Sequence, residues 1–128
     1  MANGHERSQG DMRAQISSEI IRLQAEYYGR GPTRARTYIS EDIVVVVLEE
    51  TFTRAERTLV DRGEREAIQD IRRRFQQHMA DSFIGVVEQA TGRKVRSFLS
   101  DTDVDEDISV ETFLLADERT DMAGFEDG

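Results

Sequence analysis

Ile16, Ile20, Leu23 and Tyr27 recur three and four residues apart, with Arg13, Glu19, Arg22 and Glu26 between them, which predicts an amphipathic helix from Asp11 to Tyr28. Gly29, Gly31 and Pro32 end it, because glycine reaches positive φ without steric cost and proline has no N–H to continue the ladder. Beyond that stop the pattern alternates. Ala35, Thr37 and Ile39 interleave with Arg34, Arg36 and Tyr38, and after the polar corner Ser40-Glu41-Asp42 comes the aliphatic run Ile43 to Leu48, so the segment reads as a β-hairpin. The run from Ile43 to Val47 has no polar interruption and predicts a central strand buried on both faces.

Thr53 and Glu56 have the spacing of a capping box with Phe52 at the staple position, which predicts a helix start at Thr53 with Ala55, Leu59 and Val60 turned inward as far as Asp61-Arg62-Gly63. Ile68, Ile71, Phe75, Met79, Phe83, Val86 and Ala90 then keep a helical spacing up to Thr91-Gly92, a helix of roughly 27 residues and about 40 Å. Val95 to Leu99 reads as a strand and Ser100 to Asp107 as an acidic connection. Ile108 to Leu115 reads as a further strand, with Ile108, Val110, Thr112 and Leu114 on one face. Set side by side, the halves match: each is an amphipathic helix, a Gly-Arg turn, a basic strand, an acidic corner and an apolar strand. The expected fold is α+β, a duplicated α-β-β unit whose four-stranded, mainly antiparallel sheet packs on helices including one long one. Residues 11–116 form this single domain, between an N-terminal tail over residues 1–10 and an acidic C-terminal tail over residues 117–128, both expected to be disordered.

A helix of that length equals or exceeds the diameter of a 128-residue globule, about 35 to 40 Å, so its outer turns need another surface. A homodimer with Phe75, Met79, Phe83, Ile84 and Val87 at its interface would supply one; the alternative is a helix that curves across its own sheet. The net charge of −9 argues against a nucleic-acid module, since phosphate neutralisation supplies much of the affinity of such proteins. No apolar run is long enough to cross a bilayer, and the N-terminus lacks the apolar core of a signal peptide, so the expectation is a cytoplasmic chain with no direct membrane insertion. With no cysteine, disulfide and thiol chemistry are excluded.

Three stretches carry a family resemblance: G-x-G-P at Gly29 to Pro32, LEETFTRAE at Leu48 to Glu56 and TGRKVRSFLSD at Thr91 to Asp101. Together they resemble the MpsC family, known also through YbcI-type proteins and associated with a sodium-translocating, membrane-potential-generating system. The resemblance covers residues 11–116. It implies a neighbourhood of ion or bicarbonate transport and no mechanism. A chain of this kind would be an accessory or regulatory partner of the transporter, peripheral to the inner face of the membrane, and never its pore.

The candidate chemistry is sparse. Asp101, Asp103, Asp105 and Asp107 have the alternate spacing that opens a calcium loop, but Glu106 stands where glycine is required and Thr112 where the bidentate glutamate belongs, so a solvated acidic corner is the better reading. His5 and His78 lack neighbouring ligands, and neither a metal nor an organic cofactor is expected. The Gly-Arg turns are the more specific feature. Gly29, Arg30, Gly31, Arg34 and Arg36 in the first half correspond to Arg93, Lys94 and Arg96 in the second, and a pseudo-twofold that brought both sets to one end of the sheet would make an anion site. The plainer reading pairs these cations with Glu26, Glu41, Glu88 and Asp101 at the surface. The functional expectation is a non-enzymatic accessory subunit that senses an anion. The alternatives are an enzyme acting on a small anionic substrate at the same turns, for which no nucleophile, base and orienter set is present, and a purely structural oligomerisation module.

Overall fold

The computed structural model of the chain describes residues 8–116. Both expected tails fall largely outside these residues, but positions 9 and 10 are already helical. Ser8 caps the first helix by accepting a hydrogen bond from the Asp11 amide at 3.0 Å, so α1 runs Gln9–Tyr28. The order continues with β1 (Arg34–Ser40), β2 (Ile43–Glu49), α2 (Arg54–Asp61), α3 (Arg65–Thr91), β3 (Val95–Asp103) and β4 (Ile108–Leu115). α2 begins with the predicted capping box between Thr53 and Glu56. The two major helices end alike: Gly29 and Gly92 each adopt a left-handed conformation (φ 80° and 72°) and donate their amide to the carbonyl four residues back, Ala25 and Glu88.

The four strands form one antiparallel sheet in the order β1-β2-β4-β3. This is the duplicated α-β-β unit, with its internal twofold passing perpendicular to the sheet between β2 and β4. The hydrophobic core lies between one sheet face and α1 and α3. Ile16, Ile20 and Leu23 of α1 and Met79, Phe83, Val87 and Ala90 of α3 meet Val44, Val46 and Leu48 of β2 and Phe113 and Leu115 of β4, all buried. Ser17 of α1 and Thr37 of β1 share a hydroxyl bond of 2.8 Å that ties the edge strand to the helix layer.

At the start of α3, Ile68 packs into a separate small cluster with Phe52 and Val104, flanked by Val60, whereas Ile71 of the predicted stripe is exposed. Of the residues expected to turn inward from α2 only Val60 does so; Ala55 and Leu59 are exposed, and Glu56 is buried in their place. Ser100 to Asp103, expected in the acidic connection, extend β3, because Ser100, Asp101, Thr102 and Asp103 pair in register with Glu111, Val110, Ser109 and Ile108. The largest departure concerns β2. It is central, as expected, but only one of its faces is covered: Val44, Val46 and Leu48 are fully buried, whereas Val45 and Val47 are half-buried and Ile43 is 42% exposed.

Candidate functional site: an uncovered sheet face above a buried polar cluster

Because strand side chains alternate between faces, the registers fix what the uncovered face displays. Reading across the sheet from β1 to β3, the rows are Arg34, Glu49, Ile108, Asp103; then Arg36, Val47, Val110, Asp101; then Tyr38, Val45, Thr112, Leu99; then Ser40, Ile43, Leu114, Ser97. The middle of this face is aliphatic, and Tyr38 and Leu99 at its two edges are 50% and 59% exposed. Its charges are segregated. Arg34 and Arg36 stand on β1, sharing the carboxylate of Glu49 at 4.0 and 3.1 Å, while Asp101 and Asp103 stand on β3 at the opposite edge. A depression of about 650 Å³, lined by Asp101, Asp103, Ile108 and Val110 among others, continues the face at its acidic end. Contiguous apolar surface of this kind, rimmed by polar residues, marks contact with another macromolecule more often than with bare solvent.

On the opposite side, under the helices, lies a polar cluster centred on Arg72, which is 2% exposed. Its guanidinium donates to Glu56 from Nε at 2.8 Å and from Nη2 at 2.6 Å, and also to the Thr51 carbonyl at 3.0 Å. It is stacked over the rings of Tyr28 (3.9 Å) and Phe52 (4.9 Å). Burial works against the charge on Glu56, yet the bonds from Arg72 and Thr53, with the charge of Arg72, hold its carboxyl below the usual range. Burial pushes the Tyr28 hydroxyl up to about 12 against the pull of Arg72. Glu111 of β4 is 1% exposed. Burial raises its carboxyl to about 7, outweighing the neighbouring Ser100 hydroxyl and the charge of Arg72, with Asp101 adding to the rise. Glu111 Oε1 and Ser100 Oγ, on facing residues of β4 and β3, are both buried, and although the hydroxyl lies close enough to act on the carboxyl, no well-formed hydrogen bond joins them. Sequence reasoning missed this cluster. Arg72 stands in a run of three arginines, Arg72 to Arg74, that spreads over most of a helical turn, yet it falls on the helix face of Ile68 and Met79 at the spacing of a core position.

The predicted anion site does not assemble. Antiparallel pairing of β2 with β4 sets the internal twofold perpendicular to the sheet, and such an axis sends equivalent turns to opposite ends. Arg34 lies in the row of Asp103, the last residue of β3, whereas Arg93 and Lys94 precede the first residue of β3, near Leu115. The two sets therefore occupy diagonal corners. Each also has local work. Arg30 donates to the carbonyl of Phe52 at 3.0 Å, Arg36 pairs with Glu49, and Arg93 joins Asp42 at 2.7 Å and the carbonyls of Glu41 and Ala116 at 3.0 Å each. Lys94 and Arg96 are exposed. Gly29 serves as the helix cap, and Gly31 gives close approach, since a Cβ there would lie 3.3 Å from Ile21.

The predicted helix interface is also redirected. Met79, Phe83 and Val87 are fully buried against their own sheet, and Phe75 and Ile84 pack at the margin of the same core, so this stripe has little surface to offer a second chain. The four aspartates near the β3–β4 turn do not converge on a cation either. Asp103 accepts the amides of Asp105 and Glu106, Asp105 holds Arg65 through two bonds of 2.8 and 2.9 Å, and Asp107 turns inward. The Asp107 carboxylate accepts the amides of Thr51 and Phe52 and pairs with Arg57 at 2.7 Å, which fastens the β2–α2 link to the β3–β4 turn. Among the described residues, no group of His, Asp or Glu could hold a metal ion. A groove of about 480 Å³ between α1 and α3 is lined by Glu19, Arg22, Ser82 and Gln89, and Arg22 there is already bonded to Glu19 and Glu26.

The family model described as "Na+-translocating membrane potential-generating system (MpsC)" matches residues 8–117 of the chain. The "Uncharacterized protein YbcI" of Bacillus subtilis (strain 168) is 29% identical over 98 residues, which cover 74% of this chain and 77% of that protein. No solved structure matches.

Proposed function

Because the chain belongs to the MpsC family, we propose that it serves a sodium-translocating, membrane-potential-generating system as a cytoplasmic accessory or regulatory subunit, non-enzymatic and acting by protein–protein contact. The coarse part of this reading, a link to such a system, comes with the family. Among the described residues no helix is long and apolar enough to cross a membrane, so in this reading other subunits of the system carry the ions, or bicarbonate, across. The observation that carries the finer part is the uncovered sheet face, where Val45, Val47, Val110 and Leu114, with Thr112 among them, form a mainly aliphatic surface between two charged edges. A protein partner would remove that surface from water at roughly 25 cal/mol per Å². The arginine turns take no part in this reading.

The test is affinity capture from native membranes by the tagged full-length chain, with partners identified by mass spectrometry, alongside a Thr112→Arg variant that places a charge in the middle of the face. Membrane subunits of the sodium-translocating system captured by the wild type and lost by the folded variant would support the proposal. Capture of none of them, or equal capture by both, would overturn it.

A further inference from the structure

We propose that the uncovered sheet face pairs with the same face of a second copy of this chain, in a closed dimer whose twofold axis lies in the interface and runs parallel to the strands. The inference rests on the reading of that face as a protein-contact surface and commits it to one occupant, so that the transport subunits are bound by the dimer on its remaining surface and Thr112→Arg loses them by breaking the dimer. The face is self-complementary. A twofold parallel to the strands keeps each residue at its height along the sheet while exchanging the two edges, so β1 of one copy crosses β3 of the other and β2 crosses β4. Applied to the observed registers, this operation sets Arg34 opposite Asp103 and Arg36 opposite Asp101, and it does so twice. Between these charged borders it lays Val47 over Val110, Val45 over Thr112 and Ile43 over Leu114.

Other ways of stacking the same face lack this match. A twofold in the interface but perpendicular to the strands would set β1 on β1 and β3 on β3, and no arginine would then meet an aspartate. At the spacing of packed sheets, about 10 Å, and the usual crossing of roughly 30°, a long arginine on one edge still reaches a short aspartate on the other. Charge bookkeeping agrees. Arg34 and Arg36 share the single carboxylate of Glu49, which leaves positive charge on that edge, and Asp101 and Asp103 make the facing edge negative.

Area sets the expected strength. Four strands of about seven residues present on the order of 450 Å² of sheet per copy, about 900 Å² for the pair. That is below the roughly 1,200 to 2,000 Å² of a standard stable interface and in the range of weak, transient ones, so the dimer should be weak and concentration-dependent.

The experiment is sedimentation equilibrium or light scattering of the full chain over a concentration series, with far-UV circular dichroism as the check on folding. Wild type should rise toward twice 14.6 kDa as the concentration increases. Arg36→Asp alone and Asp101→Arg alone should each weaken association at least about tenfold, because each puts two like-charge contacts into the homodimer. Mixing the two variants in equal amounts should restore the dimer, since in the mixed pair both contacts are again opposite in charge. The double variant Arg36→Asp, Asp101→Arg should also associate. Recovery on mixing cannot come from a misfolded variant, nor from an interface elsewhere. A wild type that stays monomeric at every concentration, single variants that dimerise as well as wild type, or a mixture that does not recover would each overturn the dimer. Membrane capture would then still decide the accessory reading by itself, and a dimer that captures no transport subunit would sink that reading while leaving this one standing.

Discussion

Replacing Glu111 with glutamine should make the protein's stability nearly flat between pH 5 and pH 8, where the wild type weakens. The carboxyl sits on β4 beneath the helices, 1% exposed, with one oxygen unpartnered, and its protonation is shifted from 4.5 to about 7. The sign follows from linkage. A group whose folded value is raised binds its proton more tightly in the native state, so its contribution is fully present below the unfolded value and is lost as pH rises through the folded one. The window therefore runs from about 4.5 to about 7. A shift of roughly 2.5 units at 1.36 kcal/mol each is about 3 kcal/mol of native stability lost across it. Glutamine has nearly the same shape and no proton to lose. Urea unfolding of the wild type and Glu111→Gln at several pH values, at constant ionic strength, should show the curves diverging by about 3 kcal/mol toward pH 8. Parallel curves, or a wild type whose stability does not fall between pH 5 and pH 8, would refute the reasoning. Glu56 does not blur the result. Its folded value is depressed, so its contribution is present above the ordinary glutamate range and is lost only as pH falls below it.

Two further perturbations test other parts of the fold. Arg72→Met should destabilise by about 3 to 5 kcal/mol, because it strands the buried Glu56 carboxylate and the Thr51 carbonyl, whereas adding Glu56→Leu to it should recover part of the loss; urea midpoints of the two variants that do not differ would contradict this. Gly29→Val should cost about 1 to 3 kcal/mol in thermal unfolding, since φ is 80° at this helix cap, even though the space around a Cβ there is open; a loss no greater than at an ordinary surface site would remove the backbone argument.

Much of the fold was legible because local rules agreed with the tertiary answer. Ile16, Ile20 and Leu23 of the α1 stripe, the 27-residue length of α3, the capping box at Thr53 and the glycine caps follow from periodicity and from backbone geometry, neither of which needs a partner element to be known, whereas Tyr27 at the end of the same stripe is exposed. What was not legible depends on relative placement. Five aliphatic residues in a row show that a strand is central, but not whether the sheet's second face will be covered, because that depends on which side both helices take. The duplicated Gly-Arg turns were visible, whereas the direction of the internal twofold is set by the antiparallel pairing of β2 with β4, which a repeat alone does not specify. Arg72 and Glu56 were hidden for another reason. Composition rules place charged residues outside unless paired, and the pairing here joins two helices through a contact that neither segment announces.

The distribution of charge around the sheet explains why an aliphatic face this open need not lead to open-ended aggregation. An uncovered face can stack, and an uncovered edge can recruit further strands; unlimited growth follows when both are permissive. Here the edges are guarded: β1 carries Arg34 and Arg36, and β3 carries Arg96, Asp101 and Asp103, side chains that resist the lateral approach of another sheet. The other broad surface is the polar side of α1 and α3, in a chain whose net charge is −9. In the proposed dimer association is thereby confined to the face, and a face that meets itself across a twofold is used up after one partner. Two copies joined in this way would form four layers, helices outside and two sheets within, leaving no apolar sheet for a third. The same charges that close the edges also set the register of the faces, so that one row of arginines and aspartates both limits growth and selects orientation. This is why exchanging Arg36 and Asp101 between chains tests the arrangement more sharply than an apolar truncation would: it leaves the buried area almost unchanged and reverses only the term that distinguishes one stacking from another.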